Sequence, residues 1–219
     1  PMPMIYNEKP VILTALYDIT ERKRQEIELQ KAHLLLQNNY REIAELQTKL
    51  QEQAIRDPLT GLFNRRYLEE SLDREMARAA RDKFPIGMIM IDIDYFKQVN
   101  DIHGHMAGDL VLQALAKLLT GGIRAGDIAC RYGGEEFLLI LPKAAKETTA
   151  VRAEQWRNDF AALKTVYGEN VLQATISLGV AAYPEDGATA AEVINAADQA
   201  MYLAKKLGRN RVVRAASRT

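Results

Sequence analysis

The sequence predicts a mixed α/β (α+β) domain of ferredoxin-like order, β-α-β-β-α-β, behind one long N-terminal helix. Three observations predict it. Residues 59–219 alternate stretches of helical period with short apolar runs of strand length. Glu21 to Ile55 holds neither Gly nor Pro and is rich in Glu, Gln, Lys, Arg and Leu. In Arg131-Tyr132-Gly133-Gly134-Glu135-Glu136-Phe137, two glycines stand between two strand-like runs, as in a hairpin.

Each element follows in order. Val11 to Tyr17 is a β-branched and apolar run too short to be a domain. The start, Pro1-Met2-Pro3-Met4, reads as a cut boundary. The helix from Glu21 to Ile55 is roughly 50 Å long at 1.5 Å per residue, and Asp57-Pro58 ends it, because a residue before proline is pushed out of the α region. Leu29, Leu36, Ile43 and Leu50 recur every seven residues, a coiled-coil seam. One register adds Ala32, Asn39, Leu46 and Gln53; the other adds His33, Tyr40, Gln47 and Ala54. Each has the same balance of apolar and polar seam positions, so the stalk reads either as a plain dimerisation element or as one poised between registers.

Asn64 to Arg81 reads as a helix and Ile86 to Ile91 as a buried strand. Gly108 to Leu119 is a helix leading to the hairpin strands Asp127–Arg131 and Phe137–Leu141. Lys146 to Leu163 is a helix, Ala174 to Ala181 a strand, Ala190 to Lys206 a helix, and Arg211 to Arg214 a short closing strand. His33 is an ordinary helix residue, Trp156 packs a core or a partner, and Cys130 is a buried strand residue.

Composition narrows the class. Hydrophobic residues are 47% of the 219, enough for a packed core. Lys+Arg and Asp+Glu are equal at 29 each, so net charge argues neither for nor against nucleic acid and local clusters must decide; no nucleic-acid polymer is expected as a partner. A single cysteine excludes an internal disulfide and fits a reducing, cytoplasmic setting. No apolar run approaches the ~20 residues of a membrane span, so no membrane segment is expected.

The chemistry gathers at strand ends. Ile86–Ile91 delivers Asp92-Ile93-Asp94, with the two aspartates on one face by strand alternation. Such acids serve as turn formers or caps as readily as ligands. If that strand pairs beside the Gly133-Gly134 hairpin, Asp92, Glu135 and Glu136 converge, at a cost only a cation or a proton relieves. Oxygen donors alone favour Mg2+ or Mn2+, and such a site suits phosphoryl or nucleotidyl transfer. No Walker A sequence is present. Gly104 and Gly108 permit close backbone approach to phosphate, and Lys97 adds charge. Asn100 and Asp109 can match a guanine edge, or serve as a turn residue and a helix cap.

Together these motifs resemble the GGDEF-domain diguanylate cyclases, in the Gly-Gly-Glu-Glu-Phe form. The resemblance rests on Asp57-Pro58-Leu59-Thr60-Gly61-Leu62-Phe63-Asn64-Arg65-Arg66, on Asp92-Ile93-Asp94-Tyr95-Phe96-Lys97-Gln98-Val99-Asn100-Asp101, and on Gly104-His105 with Gly108-Asp109. Lys205 with Gly208-Arg209-Asn210 completes it, and the match runs from about Asp57 to Val213. It implies a nucleotidyl-cyclase-like five-stranded sheet surrounded by helices. It implies Asp92, the Ile93 carbonyl, Glu136 and Glu135 at the metal, with Glu135 and Asp92 catalytic. Asn100, Asp109, Phe96, Lys97, His105, Lys205 and Arg209 are implied as substrate contacts, while Asp94 is left out of the ligand set.

The implied reaction condenses two GTP into cyclic di-GMP across a homodimer, with Asp109 in keeping with guanine selectivity. Arg124-Ala125-Gly126-Asp127 resembles the family's RxxD site for product inhibition. Leu16 to Lys23 resembles the tail of a PAS or LOV sensor. The expected division is therefore 1–20 sensor remnant, 21–56 coiled-coil signalling helix, and 57–219 cyclase domain. The alternative is a catalytically silent cyclic di-GMP receptor or a dimerising output module.

Overall fold

The computed structural model describes residues 3–6, 9–12 and 16–216, which carry ten strands and six helices. Pro1, Met2 and residues 13–15 of the run Val11–Tyr17 lie outside the described residues. Residues Pro1–Gln51 and Glu52–Thr219 form two separate contact units.

In the first unit, β1 (Pro3–Tyr6) and β2 (Lys9–Ile12) pair antiparallel. The helix α1 (Thr20–Ile55) starts where the Asp18 carboxylate accepts the Thr20 N–H at 2.9 Å. Every described side chain from Leu16 to Thr48 is exposed, including Leu29, Leu36 and Ile43 of the seam. Among the described residues no helix is long and apolar enough to cross a membrane.

The second unit runs β3 (Phe63–Asn64), α2 (Arg65–Asp82), β4 (Ile86–Ile93), α3 (Phe96–His103), α4 (His105–Gly122), β5 (Ile128–Arg131) and β6 (Glu136–Pro142). It continues with α5 (Lys146–Ala162), β7 (Thr165–Tyr167), β8 (Asn170–Leu172), β9 (Ile176–Tyr183), α6 (Ala190–Lys206) and β10 (Val212–Arg214). Capping marks two of the helix starts. The Asn64 side chain accepts from the Tyr67 N–H at the head of α2, and Thr189 from Glu192 at the head of α6.

The sheet order is β10-β9-β4-β6-β5-β3. The central strand β4 is antiparallel to both β6 and β9. Its Ile86, Met88 and Met90 pack with Leu138 and Ile140 under Leu68 and Leu72 of α2 and Val193, Ala197 and Met201 of α6. Its Ile89, Ile91 and Ile93 face the other way, with Phe137, Leu139 and Leu141, toward Leu112, Leu115 and Leu119 of α4 and Trp156 and Phe160 of α5. Helices on both faces explain why β4 reads as an unbroken apolar run rather than an alternating one. Each such buried side chain contributes about 1.5–3 kcal/mol.

The fold class is the expected one, with three differences in detail. A sixth strand, the two-residue β3, joins the edge parallel to β5. The short hairpin β7–β8 follows α5. Residues Phe96 to His103, assigned to no element from the sequence, form the helix α3, which at eight residues is short for a helical period to stand out.

Candidate active site

Pairing in the sheet brings the acids together. Asp92, near the end of β4, stands directly opposite Glu136 of β6 and Ser177 of β9. The Ile93 N–H reaches the Glu135 carbonyl at 3.4 Å, so Glu135 sits one step further along the same edge. Asp92 is buried and Glu135 and Glu136 are half-buried. Burial pushes the Asp92 carboxyl up to about 6; the Lys205 hydrogen bond and charge pull it down, and the Glu135 and Glu136 charges push it further up.

Lys205 Nζ lies 2.6 Å from Asp92 Oδ2. The lysine expected at a phosphate is thus paired with an expected metal ligand. As placed, among the described residues no three His, Cys, Asp or Glu side chains stand close enough to hold an ion. The donor set itself, a crowded group of carboxylates with the Ile93 carbonyl, suits a hard divalent cation such as Mg2+ or Mn2+. A groove of about 550 Å³ opens beside Glu136, walled by Leu72, Met90, Tyr132, Ile194 and Asp198.

Two glycines in a hairpin turn are expected to supply a left-handed backbone, and at this tip they do not. Neither Gly133 nor Gly134 has a positive φ. The turn closes because the Glu136 carbonyl accepts from both the Tyr132 and Gly133 N–H groups, at 2.8 and 3.2 Å. A Cβ on Gly133 would stand 2.5 Å from Glu136 Oε2, so a larger residue there would push the Glu136 carboxylate to another position; Gly134 has nothing within 4 Å. The Gly134 carbonyl is caught by Arg131, from Nη2 at 2.7 Å and Nε at 3.1 Å. The same guanidinium reaches both Asp57 carboxylate oxygens at 3.2 Å, and Asp57 also accepts the Thr60 N–H and hydroxyl. Arg131 and Asp57 carry no part in the expected site, yet they tie the acidic turn to the loop after α1.

The pair expected at a guanine edge lies on helices. Asn100 lies within α3, and its Oδ1 is buried with no hydrogen-bond partner. A Cβ on Gly108 of α4 would collide with that oxygen, so glycine is what lets the two helices close around it. Asp109 follows Gly108, is exposed, and lies a full turn inside a helix that starts at His105, so it is not the cap. His105 and Lys97 are exposed. Phe96 belongs to a helix rather than a loop, and its ring is in the core, which leaves only its backbone for phosphate.

Asp94 is an anchor. It is buried and accepts from the Thr175 and Ser177 hydroxyls, each at 2.6 Å, and from the Asn210 N–H at 3.0 Å. Arg209 stacks on Tyr95, with its guanidinium carbon 4.4 Å from the ring centre. Thr175, Ser177 and Tyr95 are absent from the expected site, and no local pattern marks them.

Away from this edge, Arg124 and Asp127 form one turn. The Arg124 N–H donates to Asp127 Oδ2 at 2.9 Å, and the Asp127 N–H to the Arg124 carbonyl at 2.9 Å. Asp127 Oδ2 also accepts from Arg152 Nη2 at 2.8 Å, and Arg152 lies over Trp156. The Arg124 residue is exposed.

Comparison with known proteins gives this edge its family. The family model described as diguanylate cyclase, GGDEF domain, matches residues 54–211. The chain belongs to the GGDEF diguanylate cyclase family. Among curated members of the family, it is 38% identical over 198 residues to the response regulator PleD of Caulobacter vibrioides, covering 90% of this chain and 42% of PleD. It is 41% identical over 161 residues to the diguanylate cyclase DgcP of Pseudomonas aeruginosa, covering 74% of this chain and 24% of DgcP. The chain thus spans less than half the length of these two GGDEF relatives. Among solved GGDEF structures, the coiled coil and GGDEF domain of DgcB from Caulobacter crescentus, in complex with c-di-GMP, matches with TM-score 0.78 and 30% identity, covering 85% of this chain and 99% of that one. The GGEEF domain of a diguanylate cyclase from Vibrio cholerae matches with TM-score 0.66 and 37% identity, covering 71% and 98%.

Proposed function

We propose that the chain condenses two molecules of GTP into cyclic di-GMP and two pyrophosphates. The observation that carries this reading is the register pair Asp92–Glu136, which gathers three carboxylates at one sheet edge in a GGDEF-family chain. At each α-phosphate one P–O bond forms to the incoming 3′-oxygen and one breaks to release pyrophosphate. Glu135 takes the hydroxyl proton. Asp92, Glu136 and the Ile93 carbonyl would hold Mg2+ or Mn2+, which when bound polarises the phosphate and makes the hydroxyl a better nucleophile. The chain's own groups bind and orient. Asn100 Oδ1, lacking a partner, accepts from the guanine edge and Asp109 accepts beside it. Lys97, Lys205, Arg209 and the backbone of Phe96 meet phosphates, with His105 at the start of α4 near the nucleotide.

The reaction joins two nucleotides, so two chains face each other. The exposed Leu29, Leu36 and Ile43 of α1 support a coiled-coil homodimer that holds two cyclase domains at high effective concentration. The division 1–20 sensor remnant, 21–56 signalling helix, 57–219 cyclase domain follows from this reading. Arg124 and Asp127 form a site where the product inhibits, with Arg152 as a further basic contact already seated on Asp127.

Incubation of purified protein with GTP and Mg2+, with chromatography of the products, tests the proposal. Cyclic di-GMP that disappears on Glu135→Gln supports a cyclase. The second reading is a receptor that binds cyclic di-GMP at Arg124 and Asp127 without turnover. Product binding lost on Arg124→Ala, with no GTP consumed by the parent protein, would select it.

A further inference from the structure

Two consecutive residues beyond the metal-binding edge of β4 hold one turn near the chain's end. Asp94 fixes its backbone through the Asn210 N–H at 3.0 Å, and is itself held by Thr175 and Ser177. Tyr95 holds its side chain. The Arg209 guanidinium carbon lies 4.4 Å from the centre of the Tyr95 ring, and Arg209 Nη1 is 3.3 Å from the Tyr95 hydroxyl oxygen.

The backbone on both sides is bent to achieve this. Tyr95 adopts φ 56° and ψ 27°, and Arg209 and Asn210 have φ of 62° and 45°. Left-handed conformations are disfavoured for residues with bulky side chains, so Tyr95 and Arg209 both adopting them at one contact, beside an asparagine that tolerates them, mark an over-determined arrangement. Core packing does not account for the tyrosine, which is 54% exposed. Other groups brace the turn without touching the guanidinium face. Arg157 Nη1 donates to Asn210 Oδ1 at 2.8 Å, and Arg211 Nε donates to the Arg209 carbonyl at 3.0 Å.

We propose that Tyr95 is a positioning residue for Arg209, holding the guanidinium ready for the phosphates of the bound nucleotide. The proposal rests on the reading of Arg209 as a phosphate contact. An aromatic ring beneath a guanidinium occupies its face and leaves its N–H edge for an anion. Fixing the arginine rotamer before binding removes an ordering cost that the nucleotide would otherwise meet. Asp94 and Tyr95 therefore set the phosphate-binding cation at a fixed distance from Asp92, three residues of one strand end acting on both parts of the site.

The test compares Tyr95→Asn, Tyr95→Trp, Arg209→Ala and the double variant Tyr95→Asn/Arg209→Ala. Asparagine tolerates the left-handed backbone and deletes the ring, while tryptophan restores the stack. Calorimetry with a non-hydrolysable GTP analogue and Mg2+, calorimetry with guanosine, and the KM and kcat for GTP are the readouts. Tyr95→Asn is expected to weaken the analogue about three- to tenfold and to raise KM by a similar factor, with guanosine binding and kcat changed less than about twofold. Tyr95→Trp recovers the parent affinity to within about twofold. On the Arg209→Ala background, Tyr95→Asn adds nothing. An undiminished effect of Tyr95→Asn on that background, or an equal loss of guanosine, overturns the positioning role alone. Parent-like analogue affinity in Arg209→Ala overturns the phosphate reading of Arg209, and the proposal with it.

Discussion

Lys205 and Asp92 form an ion pair of 2.6 Å at the edge where the acids of β4 and β6 meet. The pair joins the last turn of α6 to the end of the central strand. It neutralises a buried carboxylate that already has Glu135 and Glu136 near it. On the proposed function, a divalent ion held by Asp92 competes with the Lys205 ammonium for the same oxygen. Nucleotide phosphates offer Lys205 another partner, so phosphate and metal arrive more favourably together than either does alone.

Replacing Lys205 with Met should therefore separate the two affinities. Mn2+ binding without nucleotide, followed by electron paramagnetic resonance, should tighten about tenfold, because a competing cation is gone. Binding of a GTP analogue should weaken at the same time. Unchanged Mn2+ affinity in Lys205→Met would show that the pair does not gate the site.

Asn100 and Gly108 allow a second test. An unpartnered buried acceptor costs stability in the nucleotide-free protein and is satisfied when a donor arrives. Asn100→Ala should leave the thermal midpoint within a few degrees of the parent, since little favourable bonding is lost. Its KM for GTP should rise about tenfold or more, the loss of one to three kcal/mol of hydrogen bonding. Gly108→Ala should raise KM as well, because its methyl displaces Asn100. A Gly108→Ala protein with the parent KM would contradict the close approach of α4 to α3.

Much of this edge was legible from local pattern. Ile86–Ile91 read as a buried strand because both faces of β4 are covered, and the hairpin read from two glycines between apolar runs. The helices Arg65–Asp82 and Ala190–Lys206 read from their periodicity to within a residue at each end, while their caps, Asn64 and Thr189, were not singled out. What escaped was non-local or came down to a distance. Thr175, Ser177 and Asn210 reach Asp94 from 81, 83 and 116 residues away. Arg131 meets Asp57 across 74 residues. The closeness of Gly133 to the Glu136 carboxylate is a distance, which no composition reveals, and α3 has only eight residues over which to show a period.

Cys130 should be inert in the folded protein. Burial raises its thiol to about 12, with Arg65 pulling it back and Asp57 and Glu69 pushing it up. Reactivity belongs to the thiolate and needs access, and Cys130 is fully buried in β5. A chromogenic disulfide reagent at pH 8 should therefore react slowly with native protein and completely within minutes in denaturant. Fast reaction of native protein would mean that β5 opens readily at the sheet edge.

Asp57 gives a stability prediction with a definite sign. Its carboxyl is partly buried, which pushes its pKa up, but the Thr60 hydroxyl and N–H and the Arg131 guanidinium outweigh that and hold it below 3.8. A carboxyl whose pKa is lower folded than unfolded stabilises the native state above the unfolded value. That contribution fades as pH falls through the folded value, here below about 4. Asp57→Asn should cost stability at pH 7, and the difference from the parent should shrink below pH 4 in urea titrations. Asp57→Ala leaves Arg131 with a lost partner in a position where both side chains are 18% exposed, and should cost about 1–3 kcal/mol. Because Arg131 also grips the Gly134 carbonyl, the same variant should loosen the turn carrying Glu135 and lower kcat for cyclic di-GMP formation more than it raises KM. A variant that loses stability but keeps the parent kcat would make the Asp57–Arg131 pair a brace for the fold alone.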